Sequence, residues 1–338
     1  MAKSVCQGSL KFVSTKQMDN GFSRAHLKSM FGLSKYPDNG LSITGTSESF
    51  EDLAIDYTDG VSISGVQRKL FMTLENGVLK PVVENGLYIV KPSPQKFPEL
   101  AENEHAIMCL ARAVGLDVAD CSLIPFENGE RAYVTKRFDI TASGQRLFIE
   151  DGASLCNIHP KHKGDDSLSY ENTLKELYQA SGNQKTVLLN AFNQVLFSFI
   201  VGNSDLHLKN FSMYREPTSN TTTMNNFTPI YDVLSIAPYP AYDGEYMTLS
   251  LLHSELDSNF SSSYESYGYY TFHDFLLLAE NIGLGEKAGA SFIKKLASKV
   301  EQTADVVMQN SFCSANLREI ILKRIKERCS CLKRPVIS

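Results

Sequence analysis

The hydrophobic pattern of this 338-residue chain changes character near Asp139, from short apolar runs separated by turn residues to long stretches of helical period. Before that point lie Lys69–Leu74, Val78–Val83 and Leu87–Val90, separated by Glu75-Asn76-Gly77 and Glu84-Asn85-Gly86. Asn-Gly between apolar runs supplies the positive φ angles of a tight antiparallel turn, so a small antiparallel sheet is expected. Leu100, Ile107, Leu110, Ala111 and Val114 then recur at helical spacing, with Gly115 where a C-terminal cap belongs. Ser122–Phe126 and Arg131–Thr135, around Asn128-Gly129, predict a further hairpin.

Beyond Asp139 the period is helical. Leu188, Leu189, Phe192, Val195, Leu196, Phe199 and Ile200 form a wide apolar face on a helix that ends at Gly202. Further helices are predicted at about 171–181, 270–283, 287–309 and 313–330. The first 60 residues or so are rich in Ser, Thr, Gly and Asp and read as a loosely structured, peripheral lead-in with one helix near Ser23–Phe31. The expected organisation is a lead-in over 1–60, a β-rich small lobe over 61–138 and an α-helical large lobe over 139–338, an α+β class. The chain is long enough to bury two such lobes.

Composition excludes several functions. Charged residues make up 21% of the chain and the formal net charge is -5, which gives no reason to expect direct DNA binding. Met1–Cys6 has no apolar signal-peptide core and no stretch of eighteen apolar residues follows, so a cytoplasmic protein without membrane contact is expected. Seven scattered cysteines point to reduced thiols rather than a disulfide framework. Cys329-Ser330-Cys331 has no second Cys/His pair beside it and reads as a coincidence at a helix end rather than a metal site.

Four segments carry chemistry. Gly202-Asn203-Ser204-Asp205-Leu206-His207-Leu208-Lys209-Asn210-Phe211 is a polar loop leading into an apolar strand. Asp205 and Asn210 have the spacing of the aspartate and asparagine in a protein-kinase catalytic loop. That chemistry needs a carboxylate to accept or orient the attacking hydroxyl's proton and an amide oxygen to ligate Mg²⁺. The same spacing also occurs in turns where Asp and Asn cap backbone groups. Downstream, Thr228-Pro229-Ile230-Tyr231-Asp232-Val233 is a short apolar strand ending in a carboxylate suited to bridging Mg²⁺ and phosphates. Alone, Asp232 reads more readily as a helix N-cap; after the preceding loop, the metal-ligand reading prevails.

In the β-rich region, Leu87-Tyr88-Ile89-Val90-Lys91-Pro92 is an apolar strand ending in a lysine, either an ordinary solvent-facing residue or the phosphate-neutralising lysine of a nucleotide kinase. Glu104 on the following helix can pair with Lys91, in competition with Glu99 and Glu102. Finally, Ser62-Ile63-Ser64-Gly65-Val66-Gln67-Arg68-Lys69 is a run of small residues whose backbone N–H groups can approach phosphate oxygens, with Gln67 and Lys69 adding side-chain contacts. It also reads as a plain turn before a strand.

These segments stand in the order of HipA-type kinases, and their local sequences resemble that family. The resemblance is carried by S-I-x-G-x-Q-x-K (Ser62–Lys69), Lys91-Pro92, Asn103-Glu104, K-R-F-D (Lys136–Asp139), G-x-x-D-x-H-x-K-N-F (Gly202–Phe211) and T-P-x-Y-D (Thr228–Asp232). It covers about residues 60–240 and implies a two-lobed protein-kinase-like fold that binds ATP and Mg²⁺. Asp205 would be the catalytic base, with Asn210 and Asp232 on the metal. Ser64, Gly65, Val66, Gln67, Arg68, Lys69, Lys91, His207, Lys209 and Tyr231 would line the nucleotide, and the backbone of Lys136, Arg137 and Phe138 would hold the adenine.

The resemblance further implies a serine/threonine kinase toxin of a bacterial toxin–antitoxin system that phosphorylates an aminoacyl-tRNA synthetase. A HipB-like helix-turn-helix antitoxin would restrain it, and DNA would be reached only through that partner. The chain lacks most of the family's N-terminal subdomain before the phosphate loop and carries Ser62 and Ser64 in an S-x-S pattern. Both features resemble the short HipT branch, in which a small HipS-like partner supplies the missing piece. Phosphate on Ser62 or Ser64 would add roughly -1.5 to -2 charge where an anion must bind, an inhibitory autophosphorylation. A translocated effector kinase acting on host proteins, a lipid kinase and a pseudokinase binding module are the competing readings.

Overall fold

The computed structural model describes residues 2–50, 67–141, 143–239 and 247–334. The chain divides into two compact units. The first comprises Met1–Ala113, Val118–Phe138 and Val306–Arg318, and the second Val114–Asp117, Asp139–Asp305 and Glu319–Ser338.

The first unit is built on a six-stranded sheet whose strands are β1 (Ser42–Ile43), β2 (Leu70–Glu75), β3 (Val78–Pro81), β4 (Tyr88–Pro92), β5 (Cys121–Pro125) and β6 (Arg131–Lys136). Their spatial order is β1-β3-β2-β4-β6-β5, antiparallel except for the β1–β3 pair. The β2–β3 turn follows its residues: Asn76 and Gly77 have φ of 51° and 89°, the pair of left-handed positions that a two-residue hairpin needs. Asn85-Gly86 does something else. Strand β4 pairs with β2 instead of β3, so this second Asn-Gly lies in a crossover and not in a tight antiparallel turn. The cause is a close approach: a Cβ on Gly86 would sit 2.9 Å from the Met72 amide nitrogen, so only glycine lets the chain pass against β2.

The amino-terminal residues are no loose lead-in. Helix α1 (Arg24–Phe31) is capped by the Ser23 hydroxyl, which accepts from the His26 amide at 3.1 Å. Phe22, Leu27, Met30, Phe31, Leu41, Ile43 and Phe50 are buried in one apolar cluster with Leu70, Met72, Leu79, Tyr88 and Val90 of the sheet. The expectation of a peripheral segment fails because polar composition hid apolar residues that share a core with strands far along the chain. Helix α2 (Leu100–Ala113) packs on β5 and β6 and ends at Gly115, φ 95°.

In the second unit, helices α3 (Tyr170–Ala180) and α4 (Lys185–Val201) pack together. The apolar run of α4 buries Phe192, Phe197, Phe199 and Ile200 completely, and Gly202 closes the helix in the left-handed conformation. A three-stranded antiparallel sheet, β7 (Phe148–Asp151), β8 (Ser212–Arg215) and β9 (Asn226–Phe227), follows the order β7-β8-β9. The polar loop thus runs from the buried end of α4 directly into the central strand of this sheet. Helices α5 (Phe272–Asn281), α6 (Glu286–Asn310) and α7 (Ala315–Cys331) complete the chain. No helix among the described residues is long and apolar enough to cross a membrane.

Candidate active site

In the first unit, Lys91 is neither exposed nor at a strand end facing water. Its Nζ lies 2.9 Å from Glu104 Oε1, with side-chain exposures of 8% and 0%. The competing acids fall elsewhere: Glu99 accepts from the Ser314 amide, and Glu102 accepts from the Ser93 hydroxyl. A buried pair of this kind must be satisfied within the protein, because either charge alone would be several kcal/mol out of place. Tyr133 stands opposite Lys91 in the β4–β6 register, and Nζ lies 5.6 Å from its ring centroid. Gln67 is buried and donates through Nε2 to the Pro92 carbonyl at 3.1 Å, which brings the end of the phosphate-loop segment onto the lysine strand. Arg68 and Lys69 are half-buried just before β2. Ser62, Ser64, Gly65 and Val66 lie outside the described residues.

The segment assigned to adenine is tied down by its own hydrogen bonds. The amide of Lys136 donates to the Asp120 carbonyl and that of Arg137 to the Leu87 carbonyl. Their side chains are engaged as well, Lys136 Nζ with the Ser29 carbonyl at 2.8 Å and Arg137 with the Gly86 carbonyl at 3.0 Å. A purine at this strand end would be read by groups other than those two amides.

In the second unit the loop after α4 is organised around one carbonyl. The Asp205 oxygen accepts from the His207 amide at 2.9 Å and from Asn210 Nδ2 at 2.9 Å. Using Nδ2 in this way fixes the carboxamide and leaves Oδ1 as the atom Asn210 can offer to a cation. From beneath, Gln194 of α4 donates to the Asn210 carbonyl at 2.9 Å in a buried bond. Tyr231 completes the frame: its hydroxyl donates to the Lys209 carbonyl at 2.8 Å and lies 2.6 Å from the Ser212 hydroxyl. Next to it, Asp232 has φ 61°, a left-handed backbone that costs roughly 1–3 kcal/mol and that asparagine and aspartate tolerate better than most residues. Two oxygen donors, the Asn210 amide and the Asp232 carboxylate, suit a hard divalent cation such as Mg²⁺.

His207 is buried, and its Nε2 lies 2.7 Å from Lys163 Nζ. An ammonium only donates, so Nε2 accepts and Nδ1 carries the proton. Burial, followed by the Lys163 charge, pushes His207 down to about 4, although Asp232 pulls the other way. The ring is therefore neutral at pH 7. Lys209 is exposed, its Nζ 3.9 Å from Asp151 Oδ2.

The fold therefore brings Gln67, Lys91 and Glu104 together in the first unit, and Asp205, His207, Lys209, Asn210, Tyr231 and Asp232 together in the second. Sequence reasoning missed three supporting residues. Gln194 carries a signal, an amide on an otherwise apolar helix; Tyr133 and Lys163 carry none, since only strand register and chain path place them.

Comparison with known proteins identifies the family and the fold. Residues 61–304 match the HipA-like C-terminal domain family. A putative kinase of Haemophilus influenzae is 32% identical over 288 residues, covering 81% of this chain and 82% of the relative. The serine/threonine-protein kinase toxin HipA of Shewanella oneidensis is 26% identical over 73% of this chain and 58% of its own length. Among solved structures, the Shewanella oneidensis HipA, HipB and operator DNA complex superposes with a TM-score of 0.66 at 20% identity, covering 85% of this chain and 70% of that one. The Helicobacter pylori proinflammatory kinase CtkA does so at 0.51 and 18%, covering 81% and 90%. These two likenesses establish the α+β kinase-like fold.

Proposed function

The chain belongs to the HipA-like C-terminal domain family, and from that premise we propose that it is an ATP- and Mg²⁺-dependent serine/threonine protein kinase. The observation that carries this reading is the buried Lys91–Glu104 pair at 2.9 Å. A buried lysine held by a helix glutamate is stable only at a cost in desolvation, and presenting a fixed ammonium to nucleotide phosphates is the use that justifies it. Asp205 accepts the proton of the substrate hydroxyl, and the Asn210 amide keeps the Asp205 backbone in place through its 2.9 Å bond. Asn210 and Asp232 hold Mg²⁺, which when bound neutralises charge on the phosphates. Lys91 neutralises the α- and β-phosphates, and the neutral His207 offers Nδ1–H as a donor. Positioning and electrostatics supply the rate, with no covalent intermediate.

The finer biology rests on the family. The Shewanella relative is a kinase toxin, and its solved complex holds HipB and operator DNA. By analogy, this chain is the toxin of a toxin–antitoxin pair, restrained by a HipB-like antitoxin or a small HipS-like partner, with an aminoacyl-tRNA synthetase as substrate. Ser62 and Ser64 are its inhibitory autophosphorylation sites. The test is transfer from labelled ATP to protein in a lysate, followed by identification of the labelled species. Asp205→Ala is expected to abolish transfer while retaining the wild-type circular dichroism spectrum. Undiminished labelling by that variant would overturn the assignment, and phosphate on Ser62 or Ser64 of both proteins would make it the work of another kinase.

A further inference from the structure

The first unit contains a second cluster of ligand-type side chains that the nucleotide chemistry does not use. His105 and Cys109 lie four residues apart on one face of α2, and Cys121 opens β5 against the same helix. Their donor atoms all lie within 4.8 Å of one another, and the three residues are 0%, 4% and 2% exposed. We propose that His105, Cys109 and Cys121 form a structural Zn²⁺ site, with the Gly8 carbonyl as the fourth ligand.

Four observations support it. First, the Cys109 sulfur is 3.5 Å from His105 Nε2. Tetrahedral zinc with Zn–S of about 2.3 Å and Zn–N of about 2.0–2.1 Å requires an S···N edge of about 3.5 Å. Second, the Gly8 carbonyl lies 3.7 Å from the Cys109 sulfur and accepts from His105 Nε2 at 2.9 Å in the metal-free protein, a hydrogen bond that would lengthen by about 0.5 Å when zinc takes the place of the proton. Third, Nδ1 of His105 has no hydrogen-bond partner among the described residues, whereas Nε2 touches both Gly8 and Cys109, so Nε2 is the ring nitrogen that faces the cluster. Fourth, the charges balance, because two thiolates neutralise Zn²⁺ and a neutral imidazole adds nothing, so the ion enters the apolar interior without uncompensated charge.

Burial pushes His105 down to about 4, so the imidazole is neutral at pH 7, and Nε2 offers its lone pair once the ring proton moves to Nδ1 and the Gly8 bond is given up. The Cys109 thiol is held well above its ordinary value by its hydrogen bond to Cys121 and by burial. The Cys109 thiol is therefore protonated in the metal-free protein, and Zn²⁺ binding releases its proton. A soft N/S donor set selects zinc over the hard cation of the kinase reading. Mechanically, the ion would fasten the Gly8 turn and β5 to α2, the helix that also carries Glu104. The Cys329-Ser330-Cys331 pair is different: Cys329 is buried and its sulfur lies 3.7 Å from the Ala297 carbonyl as an ordinary weak bond.

The test uses the full chain without a histidine tag, kept reduced, stripped with a chelator and titrated with Co²⁺. The expected result is saturation at one equivalent with intense visible bands of a tetrahedral thiolate site, abolished by one equivalent of Zn²⁺. Cys109→Ser and Cys121→Ser should lose the bands, whereas the Cys329→Ser/Cys331→Ser double variant and Asp232→Asn should keep them. Absence of a saturable tetrahedral spectrum in the wild type overturns the proposal even if the cysteine variants fail to fold. So does an unchanged spectrum in folded Cys121→Ser, or a thiol count two short of seven, which would mean that Cys109 and Cys121 form a disulfide instead.

Discussion

The two units hold their chemistry by different physical means. In the first, Lys91 sits on a regular strand and Glu104 on a regular helix, and one buried charge pair fixes both. In the second, Asp205, Asn210 and Asp232 sit on irregular backbone, and a web of neutral hydrogen bonds from Gln194, Asn210 and Tyr231 holds the chain in shape. The contrast is between a few strong interactions and many modest ones. A charge pair tolerates no loss of a partner, while a hydrogen-bonded loop degrades in steps.

That difference sets the size of what substitution should do. Glu104→Ala removes the carboxylate that faces the buried Lys91 ammonium and is expected to cost about 3–5 kcal/mol in urea unfolding. The double variant Lys91→Met/Glu104→Leu should recover most of that stability and still fail to bind ATP; a double variant as unstable as the single one would break the comparison. Next comes acid. His207 is depressed from 6.5 to about 4 in the fold, so the unfolded chain takes up its proton first as pH falls. Its contribution is full above pH 6.5 and is lost between 6.5 and about 4, on the order of 3 kcal/mol. Unfolding measured at pH 7 and 4.5 should show a shallower loss for His207→Asn than for the wild type.

Smaller effects belong to the loop. Gln194→Leu leaves the buried Asn210 carbonyl without its donor and should cost about 1–3 kcal/mol. It should also raise the Mg²⁺ requirement in the transfer assay. Tyr231→Phe removes the hydroxyl between Lys209 and Ser212 and should cost about 1 kcal/mol, with a modest fall in kcat and an unchanged KM for ATP. Equal losses for Glu104→Ala and Tyr231→Phe would erase the distinction between the two units.

Much of this was legible in residues alone. The strands 70–75, 88–92, 121–125 and 131–136 and the helices α2 to α7 follow from hydrophobic period and from caps such as Gly202, because those signals are local. The segments around Lys91, Asp205 and Asp232 were visible for the same reason, as motifs of fixed spacing. The choice of Glu104 over Glu99 and Glu102 was not, because the three acids lie within six residues at the start of α2 and only the packing of the sheet decides which carboxylate meets Lys91. The role of residues 2–50 was hidden too, since their apolar residues are sparse and gain meaning only when β1 and α1 meet the sheet core.

By itself, then, the sequence determined the order of the helices α2 to α7 and of most strands of the first unit, the class of fold and which residue types carry charge and metal-binding oxygen, all properties of near neighbours along the chain. Only the tertiary structure decided that Asn85-Gly86 is a crossover, that Gln194 and Tyr231 frame the Asp205–Asn210 loop, and that His105, Cys109 and Cys121 converge. Those facts depend on contacts between residues distant in sequence, where strand order and helix orientation, set by burial of the whole core, fix which groups meet.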